Sequence, residues 1–472
     1  MFHMDLANKN ILIVGLGLSG IATARFAKKN GASVTVTDIA GEKELGSYAP
    51  MAHKLGVNME LGKHNIETFE RADLIVISPG VPHTILPIKK ALAKGIQVLG
   101  EFELAARYIR EPVLAVSGTN GKTTTTTLLG KMLENSGLKV FVGGNIGNPL
   151  IDYADKRGTA DIVVAEVSSF QLDTIDTFRP HVGVLLNISA DHLDRYPDFK
   201  AYARSKGRLF ENQQQSDTAV LNGSDPIVGS VTRDLKARKL TFYHQENAQA
   251  EIREGAIISW GNSGTFPIIT IHTKEKTKKS FDLSVANLRG RHNIENAAAA
   301  SLAAMAVGGS LEGVQSALND FKGLPHRIEY ISIINGVLFF DDSKATNVDA
   351  VIRALEVFSE PIVLIMGGRD KGGDFHKLEE PIRQHIKKLI VMGEAKDKIK
   401  SVLEHVCRGG AQIVSTMEDA VFSAYHAASP DDIVLLSPGC SSFDIYSSYA
   451  ERGEDFCRAV GQLKKIRQKV TS

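Results

Sequence analysis

Cysteine is scarce in this chain of 472 residues: Cys407, Cys440 and Cys457 are the full set, all near the C-terminus. That number and spacing exclude a disulfide framework and suit no zinc site, so a reducing cytosol is the expected compartment. Net charge is almost absent too. Fifty-five Lys and Arg against 54 Asp and Glu leave +1, so no global field draws nucleic acid or anionic membrane. The one dense basic run, "KEKTKK" from Lys274 to Lys279, reads as a solvated turn. Long apolar runs are missing as well. Nothing approaches the ~20 residues of a membrane span. The opening "MFHMDLANKNILIVG" runs straight into a strand, without a signal-peptide pattern. The protein is expected to be soluble and cytoplasmic, with neither nucleic acid nor membrane as a partner.

What is present is ordinary in bulk: 43% hydrophobic and 23% charged residues. The length suggests about two to four domains, each able to bury a core. Three α/β segments emerge. The first begins "ILIVGLGLSGIATARFAKKNGASVTVTD", read as strand, glycine turn, helix and strand, with "ADLIVISPG" and "GIQVLGE" as further strands. A connecting helix is expected over roughly Glu101 to Arg110, ahead of Pro112. The second segment holds "PVLAVSG", "KVFVGG", "ADIVVAEVSS" and "HVGVLLNIS". From Thr218 to Leu283, runs such as "LTFYH", "AIISW" and "PIITIHT" alternate and look like a mostly antiparallel flank. The alanine-rich "HNIENAAAASLAAMAVGG" closes the segment as a helix. The third, from about Ser310, reads as a second doubly wound sheet through "VLFFDDSKATN", "PIVLIMGG", "KKLIVMGE", "AQIVST" and "DDIVLLSPG".

"SGTNGKTT" follows an apolar strand and precedes a helix, the context a phosphate-binding loop requires. Backbone N–H groups from Gly118 to Thr123 can face an anion at a helix N-terminus, where the dipole favours negative charge. Lys122 adds a point charge for the β- and γ-phosphates, and Thr123 a hydroxyl for Mg²⁺. The usual first glycine is replaced by Val116, with Gly118 instead, which marks a subfamily of such loops. A plain glycine turn with an exposed lysine is the alternative. Glu166 ends a buried strand and His192 follows another, so both can meet Thr123 around a cation at the sheet edge. Singly, Glu166 also reads as a paired structural acid and His192 as a loop residue.

"GLGLSG" at Gly15 to Gly20 is a G-x-G-x-x-G after a strand, and Asp38 ends the next strand. Alone this pattern points to an NAD-dependent oxidoreductase. The glycines report close backbone approach to a diphosphate, and the diphosphate of a UDP-sugar suits the same turn.

Seven motifs in order span nearly the whole chain: "GTNGKTT", "EVSSFQL", "ADHLDRYPDF", "RHNIENAAAA", "LPHRIE", "DDSKATN" and "LLSPGCSSFDIYSSYAERGEDF". Together they resemble the Mur ligase family, ATP-dependent ligases that build the peptide of bacterial cell-wall precursors. Several are shared with sister ligases, including the folate polyglutamate ligases. "DSKATN" and "SPGCSSFD" are more restrictive and resemble the branch that adds D-glutamate to UDP-N-acetylmuramoyl-L-alanine. The implied fold is α/β in three domains: a Rossmann-like domain over 1–100, a P-loop ATPase-type domain over 101–308, and a Rossmann-like domain over 309–472. The central sheet would be mostly parallel with an antiparallel flank.

The resemblance also implies roles. Gly118, Thr119, Asn120, Gly121, Lys122, Thr123, Thr124, Asn296, Arg327 and Asp342 would hold ATP. Asn293 shares a helix face with Asn296, but fits a helix-start cap better. Thr123, Glu166, His192 and a carbamylated Lys206 would serve two Mg²⁺ ions, with Lys122, His192 and Lys206 in the catalytic set. Leu18, Ser19, Asp38, Ser78, Pro79, Gly80 and Asn145 would bind the UDP-substrate. After Asp38, "IAG" stands where a threonine and an arginine are expected at the uracil. D-Glutamate would meet Lys344, Thr346, Lys371, Ser442 and Tyr449, the last at a position where phenylalanine is expected. The implied enzyme is a monomer that works through an acyl phosphate. Outside this resemblance stand the oxidoreductase and a nucleotide-binding module without turnover.

Overall fold

The computed structural model describes residues 4–156, 158–247, 254–260, 266–274, 276–286, 288 and 290–471. The chain forms two compact units. The first comprises Met1–Ile188, Lys200–Val285 and Glu295–Asp320; the second comprises Ser189–Phe199, Ala286–Ile294 and Phe321–Ser472.

The first unit carries two sheets. β1 (Asn10–Val14), β2 (Ser33–Asp38), β3 (Asn58–Leu61), β4 (Leu74–Ile77) and β5 (Gln97–Gly100) form a sheet in the order β3-β2-β1-β4-β5. Every pairing is parallel. β1 and β4 are continuous apolar runs because helices cover a parallel sheet on both faces. The chain reverses direction across the sheet between β1 and β4, which opens a crevice at their C-terminal ends. Gly15 and Gly20 close the turn there: a Cβ on Gly20 would lie 2.0 Å from the Gly15 carbonyl oxygen.

The connecting helix is shorter than expected, Glu101–Ala106, and its acids face inward. Glu103 accepts from the amides of Asp176, Thr177 and Phe178 and from Arg107 Nε. Glu101 Oε1 accepts from Ile151 N at 2.8 Å, while Oε2 is buried without a partner. Burial dominates there and raises the Glu101 carboxyl to about 7.

The second sheet of this unit contains β6 (Val113–Ser117), β7 (Val140–Gly144), β8 (Ile162–Glu166), β9 (Val182–Leu185), β10 (Thr218–Asn222), β11 (Arg238–His244), β12 (Gly255–Trp260), β13 (Pro267–His272) and β14 (Lys278–Asp282). Its order is β14-β13-β12-β11-β10-β9-β6-β8-β7. The sheet is mixed as expected, but the antiparallel part is smaller. "LTFYH" lies in β11, which pairs parallel with both β10 and β12; only the β12–β13 and β13–β14 pairs are antiparallel. A short helix, Pro226–Val231, returns the chain from β10 so that β11 starts at the same end. The basic run forms a turn, with Thr273 N donating to Thr277 O, before Lys278 enters β14. Its Glu275 lies outside the described residues.

The second unit has one sheet: β15 (Glu329–Ile334), β16 (Val337–Asp341), β17 (Ile362–Gly367), β18 (Ile386–Met392), β19 (Ala411–Ile413) and β20 (Ile433–Leu436). Its order is β15-β16-β20-β17-β18-β19. All neighbours are parallel except β15, an antiparallel edge strand that the apolar runs alone do not announce. Two apolar clusters cover the faces of the sheet, one around Leu364 and Leu435, the other around Phe339 and Phe456. Among the described residues, no helix is long and apolar enough to cross a membrane.

Candidate active site

β6 lies between β8 and β9, so the loop that follows it is flanked by two strand ends. Gly118–Gly121 forms that loop, and the helix Lys122–Asn135 begins directly after it. The first helical residue is a lysine and the first turn contains no acid. A cation there opposes the helix dipole, so the arrangement is suited to a bound anion. Lys122 Nζ donates to the carbonyls of Gly118 and Thr119, each at 2.8 Å. Lys206, only 1% exposed, also donates to Gly118 O at 2.8 Å and lies over the Tyr202 ring. The Tyr202 hydroxyl is 3.1 Å from Thr119 Oγ1.

Asn187, just past β9, clamps the loop. Its Oδ1 accepts from Asn120 N at 2.9 Å, its Nδ2 donates to Asn120 O at 3.0 Å, and its carbonyl accepts from Thr119 N. Asn296 closes the loop from another side: a Cβ on Gly121, whose φ is +85°, would lie 2.2 Å from Asn296 Oδ1. Asn293 is not the helix cap; its own amide already donates to Gly290 O in the first turn of the helix Arg291–Ala306.

Glu166 pairs in register with Val116. Its Oε1 accepts from Asn145 Nδ2 at 2.7 Å, and Oε2 is buried with no hydrogen-bond partner. Within the threonine run, Thr124, Thr125 and Thr126 are buried, and the hydroxyls of Thr125 and Thr126 have no partner. Thr123 is half-buried at the start of the helix.

Leu18, Ser19, Asp38, Ser78, Pro79 and Gly80 gather at the C-terminal ends of β1, β2 and β4. Ser78 Oγ donates to Gly15 O at 2.9 Å. Asp38 is engaged by the protein itself: Oδ2 accepts from Leu16 N and Oδ1 from Ala40 N. It therefore holds the glycine turn in shape. Leu18 and Ile39 are exposed beside it.

In the second unit, Asp191, His192, Lys371 and Asn347 form a polar cluster. Asp191 Oδ1 accepts from Lys371 Nζ at 2.7 Å, and Oδ2 from Asn347 Nδ2 at 3.2 Å. His192, at φ +54°, donates its backbone amide to Asp191 Oδ1. Burial alone would raise the Asp191 carboxyl, but the charges of Lys371 and His192 and the two side-chain bonds outweigh it, holding it at about 2. A cavity of about 290 Å³ opens here, lined by Asp191, Thr346, Asn347, Asp349, Asp370 and Lys371 among others.

Asp342 follows β16 and accepts from Ser437 Oγ at 2.9 Å. Burial raises its carboxyl to about 7, against the Ser437 bond and the Arg327 charge, which lower it. Lys344 Nζ sits 3.7 Å from the centre of the Tyr449 ring, and the Tyr449 carbonyl accepts from Ser343 Oγ. Buried Ser442 lies near the β20 end of the unit, its carbonyl accepting from Tyr446 N.

Three family models match the chain: "Mur ligase MurD-like, N-terminal domain" over residues 9–100, "Mur ligase middle domain" over 116–304 and "Mur ligase, glutamate ligase domain" over 326–440. A UDP-N-acetylmuramoylalanine--D-glutamate ligase of Desulfosudis oleivorans is 53% identical over 469 residues, covering 98% of this chain and 99% of that protein. The chain belongs to the Mur ligase family. A second relative of the same name, from Desulfatibacillum aliphaticivorans, is 51% identical over 462 residues, 98% of this chain and all of its own length. Among solved structures, the UDP-N-acetylmuramate-alanine ligase of Thermotoga maritima is similar with TM-score 0.59 at 20% identity, covering 97% of this chain and 100% of that one. A pseudomurein peptide ligase type C from Methanothermus fervidus gives 0.60 at 21% identity, with the same coverage. At such identities the likeness establishes the shared Mur ligase fold alone.

Four residues of this Mur ligase chain stand out only in three dimensions. Asn187 and Asp191 lie inside or beside quoted motifs, yet nothing local marks the loop clamp or the Lys371 pair. Asp341 holds His326 Nδ1 at 2.6 Å, which raises the imidazole above its ordinary range against the effect of burial. Arg452, 3% exposed, donates to Ser343 Oγ and to the carbonyls of Ser343, Gly367 and Cys440, tying several strand-end loops together.

Proposed function

We propose that this Mur ligase joins the amine of D-glutamate to the alanyl carboxylate of UDP-N-acetylmuramoyl-L-alanine, with ATP converted to ADP and phosphate. The observation that carries the reading is the 53% identity, across 98% of the chain, to a ligase named for that acceptor and that amino acid. The glycine loop Gly118–Lys122, with Lys122 and Lys206 both on the Gly118 carbonyl, supports nucleotide phosphates at the β6 end. Residues 1–100, 101–308 and 309–472 are assigned to the UDP-substrate, ATP and D-glutamate respectively.

In this reading the alanyl carboxylate attacks the γ-phosphorus, ADP leaves, and an acyl phosphate remains. The free amine of D-glutamate then attacks the acyl carbon, phosphate leaves, and the nitrogen releases one proton and keeps the other as the amide N–H. One hard amide synthesis becomes two easier substitutions. Lys122 leaves the carbonyls of Gly118 and Thr119 to meet the phosphates, where its charge counts most as negative charge gathers. Asn296 meets the adenine, Arg327 the phosphates and Asp342 the ribose. Leu18, Ser19, Asp38, Ser78, Pro79, Gly80 and Asn145 serve the UDP-substrate, with Asp38 acting through the shape of the turn. Lys344, Thr346, Lys371, Ser442 and Tyr449 serve the carboxylates of D-glutamate.

The buried, unpartnered Oε2 of Glu166 fits a divalent cation, with Thr123 as a second oxygen donor. Mg²⁺ held there would neutralise phosphate charge. A second ion would use His192 and Lys206. As an ammonium, Lys206 donates to Gly118 O and ligates nothing; carbamylation would supply the oxygen donors. The enzyme is read as a cytoplasmic monomer.

Phosphate release by the purified protein with ATP, Mg²⁺ and UDP-N-acetylmuramoyl-L-alanine, across a panel of amino acids, tests the reading. Strict dependence on D-glutamate is expected. Equal release with L-lysine or diaminopimelate reassigns the chain to a sister ligase.

A further inference from the structure

The pair of buried His244 and half-buried Glu295 has no part in the mechanism above. His244 ends β11, is 2% exposed, and places Nε2 at 2.9 Å from Glu295 Oε1. A nitrogen facing a carboxylate carries the proton, which sets the tautomer. The other nitrogen, Nδ1, is buried with no hydrogen-bond partner in the protein. An uncompensated buried nitrogen costs stability, so the pair is not explained by packing alone.

Glu295 is the neighbour of Asn296 on the helix Arg291–Ala306. Asn296 is 4% exposed, and its amide occupies the space that a side chain on Gly121 would need. A continuous line of contact therefore runs from the end of β11 through His244, Glu295 and Asn296 to the phosphate loop. Every residue from Ala297 to Ala304 is buried, and most are alanines, whose short side chains make no directional contact. A charge-assisted hydrogen bond at one end is directional and fixes what the alanines do not.

We propose that His244 is a positioning residue for the nucleotide site: it holds Glu295, and through it the azimuth of Asn296 beside Gly121. The inference rests on the ATP reading of this loop. His244 touches no nucleotide; it sets the geometry in which Asn296 does.

The test compares full-length wild type, His244→Leu, His244→Gln and Glu295→Gln, with ADP and UDP-N-acetylmuramoyl-L-alanine titrated separately by calorimetry. Thermal midpoints are recorded on the same samples. His244→Leu is expected to weaken ADP binding by about tenfold or more, the scale of one hydrogen bond to a charged group, with affinity for the UDP-substrate unchanged. In turnover the same variant raises KM for ATP more than it lowers kcat. His244→Gln, which keeps a donor near the Nε2 position, recovers most of the ADP affinity. Glu295→Gln, which keeps an acceptor, falls between. Unchanged ADP affinity in His244→Leu overturns the inference. So does an equal loss of both ligands with a lowered midpoint, since that describes a general structural role. A wild type that binds the UDP-substrate but no ADP overturns the nucleotide reading itself, and the inference with it.

Discussion

Lys122 and Lys206 donate to the same carbonyl oxygen, that of Gly118, each at 2.8 Å. Two side-chain cations thus share one acceptor at the head of a helix, 88 residues apart for the Lys206–Gly118 bond. The two have different prospects. Lys122 opens the helix and can swing to an arriving phosphate, while Lys206 is enclosed.

Replacing Lys206 with alanine separates its two readings. If the lysine acts as a carbamate, Lys206→Ala loses turnover by orders of magnitude, and short carboxylic acids added to the assay restore part of it. Dose-dependent rescue of phosphate release is the measurement. A fully active Lys206→Ala enzyme removes the carbamate from the mechanism.

The Asn187 clamp has a graded prediction. Asn187→Ala removes both side-chain bonds to Asn120 and leaves the loop less defined, a loss of about 1–3 kcal/mol. KM for ATP should rise at least several-fold with affinity for the UDP-substrate unaltered. Asn187→Asp keeps the acceptor for Asn120 N, loses the donor to Asn120 O, and should fall between. Steady-state kinetics with both substrates varied decides the order.

The Asp191–Lys371 pair makes an acid-side prediction. The Asp191 carboxyl is held down at about 2 in the folded protein, below its value near 3.9 when unfolded. Its contribution to stability is therefore present above about pH 4 and is lost as the pH falls towards 2. Lys371→Met leaves the carboxylate buried with only Asn347 and His192, costing about 3 kcal/mol at neutral pH. Denaturant unfolding at pH 7 and at low pH should show the variant and wild type converging as acidity rises.

Glu101 behaves in the opposite sense. Its folded carboxyl titrates at about 7, above the ordinary 4.5, because burial dominates. The folded state holds the proton where the unfolded chain has released it, so stability falls by roughly 1.4 kcal/mol for each pH unit across that interval. Glu101→Gln keeps an acceptor for Ile151 N and ends the titration. It should gain on wild type at pH 8 and match it near pH 4.5, as read by urea midpoints.

The strand, loop and helix around Lys122 are legible because their signal is local: an apolar strand, "SGTNGKTT" and a helix follow one another without interruption. The glycine turn was legible for the same reason, and so were the buried parallel strands. Asn187, Asp191, Glu101 and Glu103 were not, since each meets partners from a distant stretch and polar residues in such places resemble ordinary loop residues. The extent of the antiparallel part is not legible in the sequence for a different cause. β11 alternates in burial although it is parallel. Alternation reports that one face is covered, not which way the neighbours run. The short helix Pro226–Val231 that reverses the chain carries a proline and a glycine and has little helical signature.

The contact between Gly121 and Asn296 also bears on how the protein is made. The loop is translated early, while the residue that closes it emerges only after the central sheet's last strand, β14. A chain still attached to the ribosome and ending before Asn296 has the whole phosphate-loop sequence without one of its walls. Closing so long a loop in sequence is slow, and domains of this size gain such contacts late in folding. In the proposed reading, nucleotide affinity would rise only once the alanine-rich helix has docked.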